Sequence, residues 1–282
     1  MLIFKTQKDL KAHLNNNSDN SKSIGFVPTM GALHRGHLSL IEKSIAENDY
    51  TVMSIFVNPT QFNNPTDLEN YPRTLETDVE KLKQISNDIV VFAPSVDEIY
   101  QGNTKAQSFD FDGLEHEMEG KHRPGHFDGV GTIVKRLFEI VQPTRAYFGE
   151  KDFQQLQIVK KMVEKSELPV EVIGQPIFRE PNGLAMSSRN ERLSETQKKE
   201  ASFIYKTLQE AKSLFGIKNA IEVKEWVKNE FRNNANFKLE YFEIANETTL
   251  KPCQNKEQNQ KYRAFIAVFM NDVRLIDTIS LN

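Results

Sequence analysis

Apolar residues in this chain fall into short unbroken runs, separated by stretches where they recur every three or four positions. The runs at 24–27, 51–58, 88–94, 146–149 and 170–174 have the length of buried strands and little polar alternation. Helical spacing appears over 38–46, 76–85 and 132–141, and another helix opens at 150–155. A first helix is read over 7–14, ahead of a polar turn rich in Asn and Ser at 15–23. Strand alternating with helix predicts a parallel sheet covered on both faces, an α/β architecture. Residues 109–120 read as an edge strand with a short helix.

Beyond Pro176 the pattern changes. A loop over 178–192 leads to a long amphipathic helix at 194–215 and another at 221–232. Strands follow at 239–245, 262–270 and 273–279, with a polar, loose loop at 251–261. Helices followed by consecutive strands predict a smaller α+β unit, so the chain divides into residues 1–176 and 177–282. The stripe Ile204, Leu208, Ala211 and Leu214 belongs to that unit's core.

One stretch stands where a strand gives way to a helix: Pro28-Thr29-Met30-Gly31-Ala32-Leu33-His34-Arg35-Gly36-His37. A helix start presents unpaired N–H groups and the positive end of its dipole, which favour phosphate. Gly31 and Gly36 leave room for a nucleotide against the backbone. Two histidines three apart can donate to phosphoryl oxygens and stabilise charge that grows during reaction. A lone His-x-Gly-His also fits an ordinary turn with exposed rings. Its place after the first strand of an α/β pattern favours a nucleotide site.

Composition narrows the field further. A net charge of −3 and an ordinary charged fraction give no surface for nucleic acid or membrane. The single cysteine, Cys253, excludes an internal disulfide and a multi-cysteine metal site. His13, His116, His122 and His126 lack metal spacing, and no metal is assigned to protein ligands. Without a signal segment or a run of transmembrane length, the chain reads as soluble and cytoplasmic.

Four further stretches sit at the carboxyl ends of expected strands, where open α/β sheets bind ligands. They are Asn58 to Gln61, Arg123 to Gly129, Gly149 to Gln155 and Met186 to Arg189. With the His-x-Gly-His stretch, the segments FVNPTQF (56–62), RPGHFDGV (123–130), FGEKDFQQL (148–156) and GLAMSSRN (183–190) occur in one order across 24–193. Arg274-Leu275-Ile276-Asp277 lies near the end. The whole chain resembles the pantothenate synthetase family, the pantoate–β-alanine ligases.

That resemblance implies a Rossmann-like nucleotidyltransferase domain, a small mobile C-terminal domain, a homodimer, and ATP with Mg²⁺. It implies two steps: pantoate carboxylate attacks the α-phosphorus of ATP, giving pantoyl adenylate and pyrophosphate, and β-alanine then displaces AMP. By the same resemblance ATP contacts Met30, Gly31, Ala32, Leu33, His34, Arg35, Gly36 and His37, with proton donation from His37. Gly149, Glu150, Lys151 and Asp152 form a second ATP segment, and Phe178 makes a backbone contact to adenine. Met186, Ser187, Ser188 and Arg189 stand for the Lys-Met-Ser-Lys-Ser loop of related adenylate-forming enzymes, without its first lysine. Lys151 and Arg189 are cations suited to the triphosphate, and the two serines add hydroxyl donors. Gln61 and Gln155 hold pantoate, Gln61 later holding β-alanine, while Asn58 and Arg123 belong to the same substrate side. Without the resemblance both glutamines read as exposed polar residues. Magnesium is held by phosphate oxygens and water, with Asp78 as the one protein candidate. The loop 186–189 is expected to close over ATP with the small domain.

Three other readings share parts of this pattern. A nucleotidyltransferase that adenylates or cytidylates a phosphate shares the histidines but needs neither glutamine. A class I aminoacyl-tRNA synthetase needs a nucleic-acid surface, which the charge does not supply. A non-catalytic nucleotide-binding protein could keep the fold alone.

Overall fold

The computed structural model describes residues 1–17 and 22–282. The chain opens with β1 (Leu2–Phe4), α1 (Gln7–Asn17), β2 (Ile24–Thr29), α2 (Arg35–Glu47) and β3 (Tyr50–Ile55). After a 3-10 turn at Pro59–Gln61 come α3 (Pro65–Glu69), α4 (Leu75–Lys83), β4 (Val90–Phe92) and α5 (Val96–Tyr100). Next are α6 (Met118–His122), α7 (His126–Val141), β5 (Arg145–Gly149), α8 (Phe153–Lys165) and β6 (Glu171–Gln175). The last part holds α9 (Glu195–Glu200), α10 (Ser202–Phe215), α11 (Ala220–Arg232), β7 (Lys238–Asn246), β8 (Tyr262–Met270) and β9 (Val273–Ser280).

Among the described residues, six parallel strands form one sheet in the order β1-β4-β3-β2-β5-β6. Successive residues of a strand face opposite sides, and here both sides are covered. Phe26, Val52, Val90 and Ala146 pack with Leu10 of α1, Val134 of α7 and Ile158 of α8. Their sequence neighbours Val27, Met53, Val91 and Tyr147 pack with Ile41 of α2 and Leu82 of α4. Two buried faces explain why these strands read as unbroken apolar runs. Strands β7, β8 and β9 form a separate antiparallel sheet, against which Leu208 of α10 and Val223 and Val227 of α11 are buried. Ile204, Leu208 and Ala211 are core there, with Leu214 partly buried beside them. No helix among the described residues is long and apolar enough to cross a membrane.

Several local expectations change. β1 is only three residues long, too short to show a period. Residues 109–120 form no strand; they run into a 3-10 turn at Leu114–His116 and then α6. Helix α7 starts at His126 rather than 132, because Gly125 adopts φ 78° just before it and Gly129 is required inside it. A Cβ on Gly129 would lie 2.2 Å from the Thr60 carbonyl oxygen, so only glycine lets the 59–61 turn seat on the helix. The helix expected over 194–215 is two, α9 and α10, meeting at Ala201. Ala201 keeps near-helical angles (φ −61°, ψ −14°), so the apolar period runs through the junction unbroken. Helix α1 continues to Asn17, past the expected start of the polar turn at 15–23, and residues 18–21 of that turn lie outside the described residues.

The two sheets are joined by buried charge. Arg274 of β9 donates to both oxygens of Glu119 on α6 (2.9 and 2.7 Å), and the Tyr241 hydroxyl donates to the same carboxylate at 2.7 Å. Arg263 of β8 spans Glu247 (3.0 Å) and Glu150 (3.2 Å), with its guanidinium 3.9 Å from the Phe153 ring centroid. Burial alone would raise the Glu119 pKa, yet Arg274 and Tyr241 bring it down to about 2.

Removing one partner of such a pair leaves the other charge buried and uncompensated. Arg274→Met is therefore expected to lower the unfolding free energy by about 3–5 kcal/mol. A carboxylate whose folded pKa is depressed contributes stability above its ordinary pKa, lost as pH falls towards the folded value. For Glu119 that window runs from 4.5 down to about 2. Urea unfolding of both proteins at pH 7 and at about pH 3 checks this: the gap between them should narrow at the lower pH. An equal gap at both would remove Glu119 as its source.

Candidate functional site

Strands β2 and β5 are neighbours that soon part. They pair only at Gly25↔Arg145 and Phe26↔Ala146, whereas β2 follows β3 from end to end. Past Phe26 a crevice opens between the carboxyl ends, where the strand order reverses and ligands of such sheets bind. A cleft of about 230 Å³ occupies it.

One wall is the turn from β2 into α2. Gly31 adopts φ 84° and Ala32 φ 49°, two successive residues in the left-handed region. A side chain on Gly31 would press on Ile55 and Asp78 at 3.0 and 3.1 Å. Ala32 is held in its unfavourable conformation from behind: the N–H groups of Ala32 and Leu33 donate to the two oxygens of Asp78 (2.9 and 2.7 Å). His34 then sits just before the first helical residue and His37 on the first turn. Their rings stack, centroids 4.0 Å apart.

The backbone N–H of His34 donates to Nδ1 of His37 (3.4 Å). That acceptor role puts the proton of the neutral ring on Nε2. Nδ1 of His34 is buried with no partner among the described residues. Burial, then His37 and Lys151, pushes His34 down to about 2; burial, then Lys151 and Lys81, pushes His37 down to about 4. Both rings are therefore neutral near pH 7, and a neutral imidazole still donates one N–H.

The second wall is the 3-10 turn after β5. There Lys151 Nζ donates to Asp152 (3.1 Å), and nothing lies within 4 Å of where a Cβ on Gly149 would stand. The third wall is the loop Met186 to Arg189. Ser188 Oγ donates to the Ala32 carbonyl (3.0 Å), Arg189 pairs with Asp67 (3.0 Å), and Ser187 Oγ accepts from the Arg189 N–H (3.3 Å). The Phe178 carbonyl accepts from the Met186 N–H (3.0 Å), and its ring lies 5.9 Å from the Arg35 guanidinium. Phe56, Ile133, Val134, Leu137 and Phe148 give the cleft an apolar side. Gln61 and Gln155 stand on the same cleft, and among the described residues neither side-chain amide has a protein partner.

Of the residues expected at the site, Met30, His34, Gly36, His37, Gln61, Gly149, Lys151, Asp152, Gln155, Phe178, Met186, Ser187, Ser188 and Arg189 line this one cleft. Gly31, Ala32 and Leu33 lie behind it as the turn that presents the histidines. Arg35 points outward to Glu42 (2.8 Å), and Glu150 turns to Arg263. Asn58 is wholly buried; its amide donates to the Gly129 carbonyl (3.1 Å) and its oxygen accepts from Tyr100 (2.6 Å). It fastens the Gln61 turn to α7 instead of facing the cleft. Arg123 walls an adjoining cavity between the two sheets, shared with Lys151, Asp152 and Gln155. Its guanidinium and His126 Nδ1 both donate to the Gln61 carbonyl (3.2 and 2.9 Å). His126 thus has a structural partner, and burial followed by Arg123 lowers it to about 4.

Asp78, weighed above as a magnesium ligand, has both carboxylate oxygens committed to backbone N–H groups and a third donor in Thr74 (3.2 Å). Among the described residues no group of three His, Cys, Asp or Glu side chains converges to hold a metal. Tyr71 is a cleft residue that sequence reasoning passed over; burial raises its pKa. The apolar side from α7 was also missed, because its residues read as ordinary helix core.

The family model described as pantoate-beta-alanine ligase matches residues 2–280. The chain is 62% identical to the pantothenate synthetase of Flavobacterium psychrophilum over 281 residues, covering 100% of both chains. The crystal structure of pantothenate synthetase from Thermus thermophilus superposes with a TM-score of 0.90 at 40% identity, covering 100% of this chain and 99% of that one. A pantoate-beta-alanine ligase from Francisella tularensis, complexed with beta-gamma ATP and beta-alanine, gives a TM-score of 0.82 at 36% identity, covering 100% and 98%.

The geometry around the histidines makes a direct prediction. In the ligand-free protein neither imidazole should titrate between about pH 5.5 and 8, although an unperturbed ring does so near 6.5. Because the folded pKa of His37 is depressed, its contribution to stability is present above the ordinary value of 6.5 and lost as pH falls to about 4. An NMR titration of the ring resonances checks this, and a midpoint near 6.5 for either ring would refute the burial argument.

Proposed function

From membership of the pantoate-beta-alanine ligase family, to which this chain belongs, we propose that the cleft between β2 and β5 runs a two-step, adenylate-forming ligation. The chain joins pantoate to β-alanine; the route, the residue roles and the metal are our reading. ATP lies with its triphosphate along the start of α2, where unpaired amides and the helix dipole favour anions. His34 and His37 donate N–H bonds to it as neutral rings, and Lys151 and Arg189 add charge. Pantoate lies with its geminal methyl groups on the apolar side of the cleft and its polar groups on the two unclaimed amides of Gln61 and Gln155. Its carboxylate attacks the α-phosphorus, pyrophosphate leaves, and the amine of β-alanine then attacks the acyl carbon and releases AMP. Magnesium enters with ATP, coordinated by triphosphate oxygens and water, which needs no protein cage.

The observation that carries this reading is the division of one cleft. The two histidines stand at the start of α2, and the same cleft carries apolar residues from α7 and two glutamines whose side-chain amides have no partner among the described residues. A nucleotidyltransferase that stops at a phosphate acceptor has no need of that second half. The small C-terminal unit, residues 177–282, serves as a lid through its loop 186–189, which keeps water from a hydrolysable acyl adenylate. A cytoplasmic homodimer completes the reading. What supports the dimer is the edge strand β1, with Leu2 50% and Ile3 43% exposed; a monomer by sedimentation equilibrium would remove that part.

With Mg²⁺ and pantoate but no β-alanine, the enzyme is expected to exchange labelled pyrophosphate into ATP. Gln155→Ala should lose that exchange, because a carboxylate no longer held in line gives up its proximity advantage. Absence of pantoate-dependent exchange in folded, ATP-binding protein would overturn the adenylate route.

Replacing His37 by Ala should cut turnover by about 10²–10³ while ATP affinity falls much less, since the donor acts on charge that develops in the transition state. A raised ATP requirement with unchanged turnover would limit the ring to ground-state binding.

A further inference from the structure

Helix α4 lies outside the cleft, yet it grips the turn that carries the histidines from both sides. Asp78 takes the N–H groups of Ala32 and Leu33, as described above. One turn further along α4, Lys81 Nζ donates to the Leu33 carbonyl at 2.6 Å. That carbonyl belongs to the same peptide plane as the N–H of His34, because the peptide bond is rigid. The N–H of His34 in turn donates to Nδ1 of His37. We propose that Lys81, braced by Asp78, is a positioning residue for His37: by fixing the Leu33–His34 peptide it holds an N–H on Nδ1 and so keeps the ring's proton on Nε2.

The chemistry of the chain of contacts is directional at each link. An ammonium on the carbonyl draws electron density from the peptide and strengthens the N–H at its other end as a donor. A ring nitrogen that accepts a bond cannot carry the proton of a neutral imidazole. The second nitrogen must carry it, and it is then the one available to an oxyanion in the cleft. The groups that face the two rings are Lys81 from α4, Lys151 and Asp152 from the turn after β5, and each other. Of these, Lys151 and Asp152 line the cleft itself, which leaves Lys81 as the cation acting from behind. Lys81 also carries the one side-chain contact by which the Leu33 carbonyl is fixed among the described residues. Without it, the peptide is free to rotate and Nδ1 of His37 can take the proton instead. The lysine and Asp78 stand three residues apart on one helix face, so both grips move together.

This inference rests on the reading of His37 as a donor to the reacting phosphate, and its test separates the two. The ¹⁵N shifts of the His37 ring report its tautomer in ligand-free protein, with no activity required. In Lys81→Met these signals should move towards the form protonated at Nδ1, while Lys81→Arg, which can still reach the carbonyl, keeps the original pattern. Pantoate-dependent pyrophosphate exchange should fall about ten- to a hundredfold in Lys81→Met, the range that losing the partner behind a metal-ligating imidazole costs elsewhere. The KM for ATP should stay near its original value, and Lys81→Arg should restore the rate. Near-UV circular dichroism checks folding; should Lys81→Met not fold, Lys81→Gln, too short to reach the carbonyl, is expected to give the same shift of tautomer. Unchanged ¹⁵N shifts in folded Lys81→Met or Lys81→Gln would overturn the proposal. So would a changed tautomer with full exchange activity. Loss of exchange in the unsubstituted protein would instead fall on the adenylate route, and the shifts would still decide the role of Lys81.

Discussion

The parting of β2 and β5 is the constraint on which the rest of this molecule depends. Parallel strands need crossover helices, and right-handed crossovers wind in opposite directions on either side of β2. Chain runs from β2 through β3 to β4 one way, and from β5 to β6 the other. At the reversal no crossover bridges the two carboxyl ends, so β2 and β5 diverge after two pairs of residues. Pro28 is tolerated beyond that point because the missing N–H would have faced the gap. The crevice places the start of α2 and the turn after β5 opposite one another. A loop from the C-terminal unit closes the third side.

Burial then decides the chemistry of those walls. The histidines are desolvated and lie near Lys81 and Lys151, so protonating them would add charge to an already positive, poorly solvated place. Both rings are neutral near pH 7, and the bond from the His34 N–H sets the tautomer of His37.

Much of this was legible in the chain because parallel strands buried on both faces and glycine-broken turns leave strong marks. The five main strands and the helices between them stood out from spacing, and fourteen of the residues that line the cleft were named through the family resemblance that the ordered motifs carry. What escaped was local. A three-residue edge strand has no period to detect, and a helix junction at Ala201 keeps helical angles. Asn58 sits within a motif beside Gln61, yet it turns inward to brace α7, and only the register of that turn distinguishes the two roles. Asp78 and Lys81 carry no motif of their own. Their meaning appears only when α4 is packed behind the turn at Gly31.

The cations of the cleft are not waiting unpaired. Arg189 is bound to Asp67 and Lys151 to Asp152, each pair partly exposed. Such pairs contribute little net stability in water, about 0–1 kcal/mol each. If Lys151 and Arg189 take a polyphosphate as proposed, binding exchanges one anionic partner for another, and little of the gross Coulomb attraction survives as ground-state affinity. In the proposed adenylate route, interactions that strengthen only as charge shifts onto the departing pyrophosphate would then act on the rate. The ion pairs that join the two sheets, Glu119 with Arg274 and Glu150 with Arg263, are more deeply buried and have no anion to trade with. Charge in this molecule thus serves two ends: Arg274 and Arg263 join the antiparallel sheet to the parallel one, while the partly exposed Lys151 and Arg189 line the cleft.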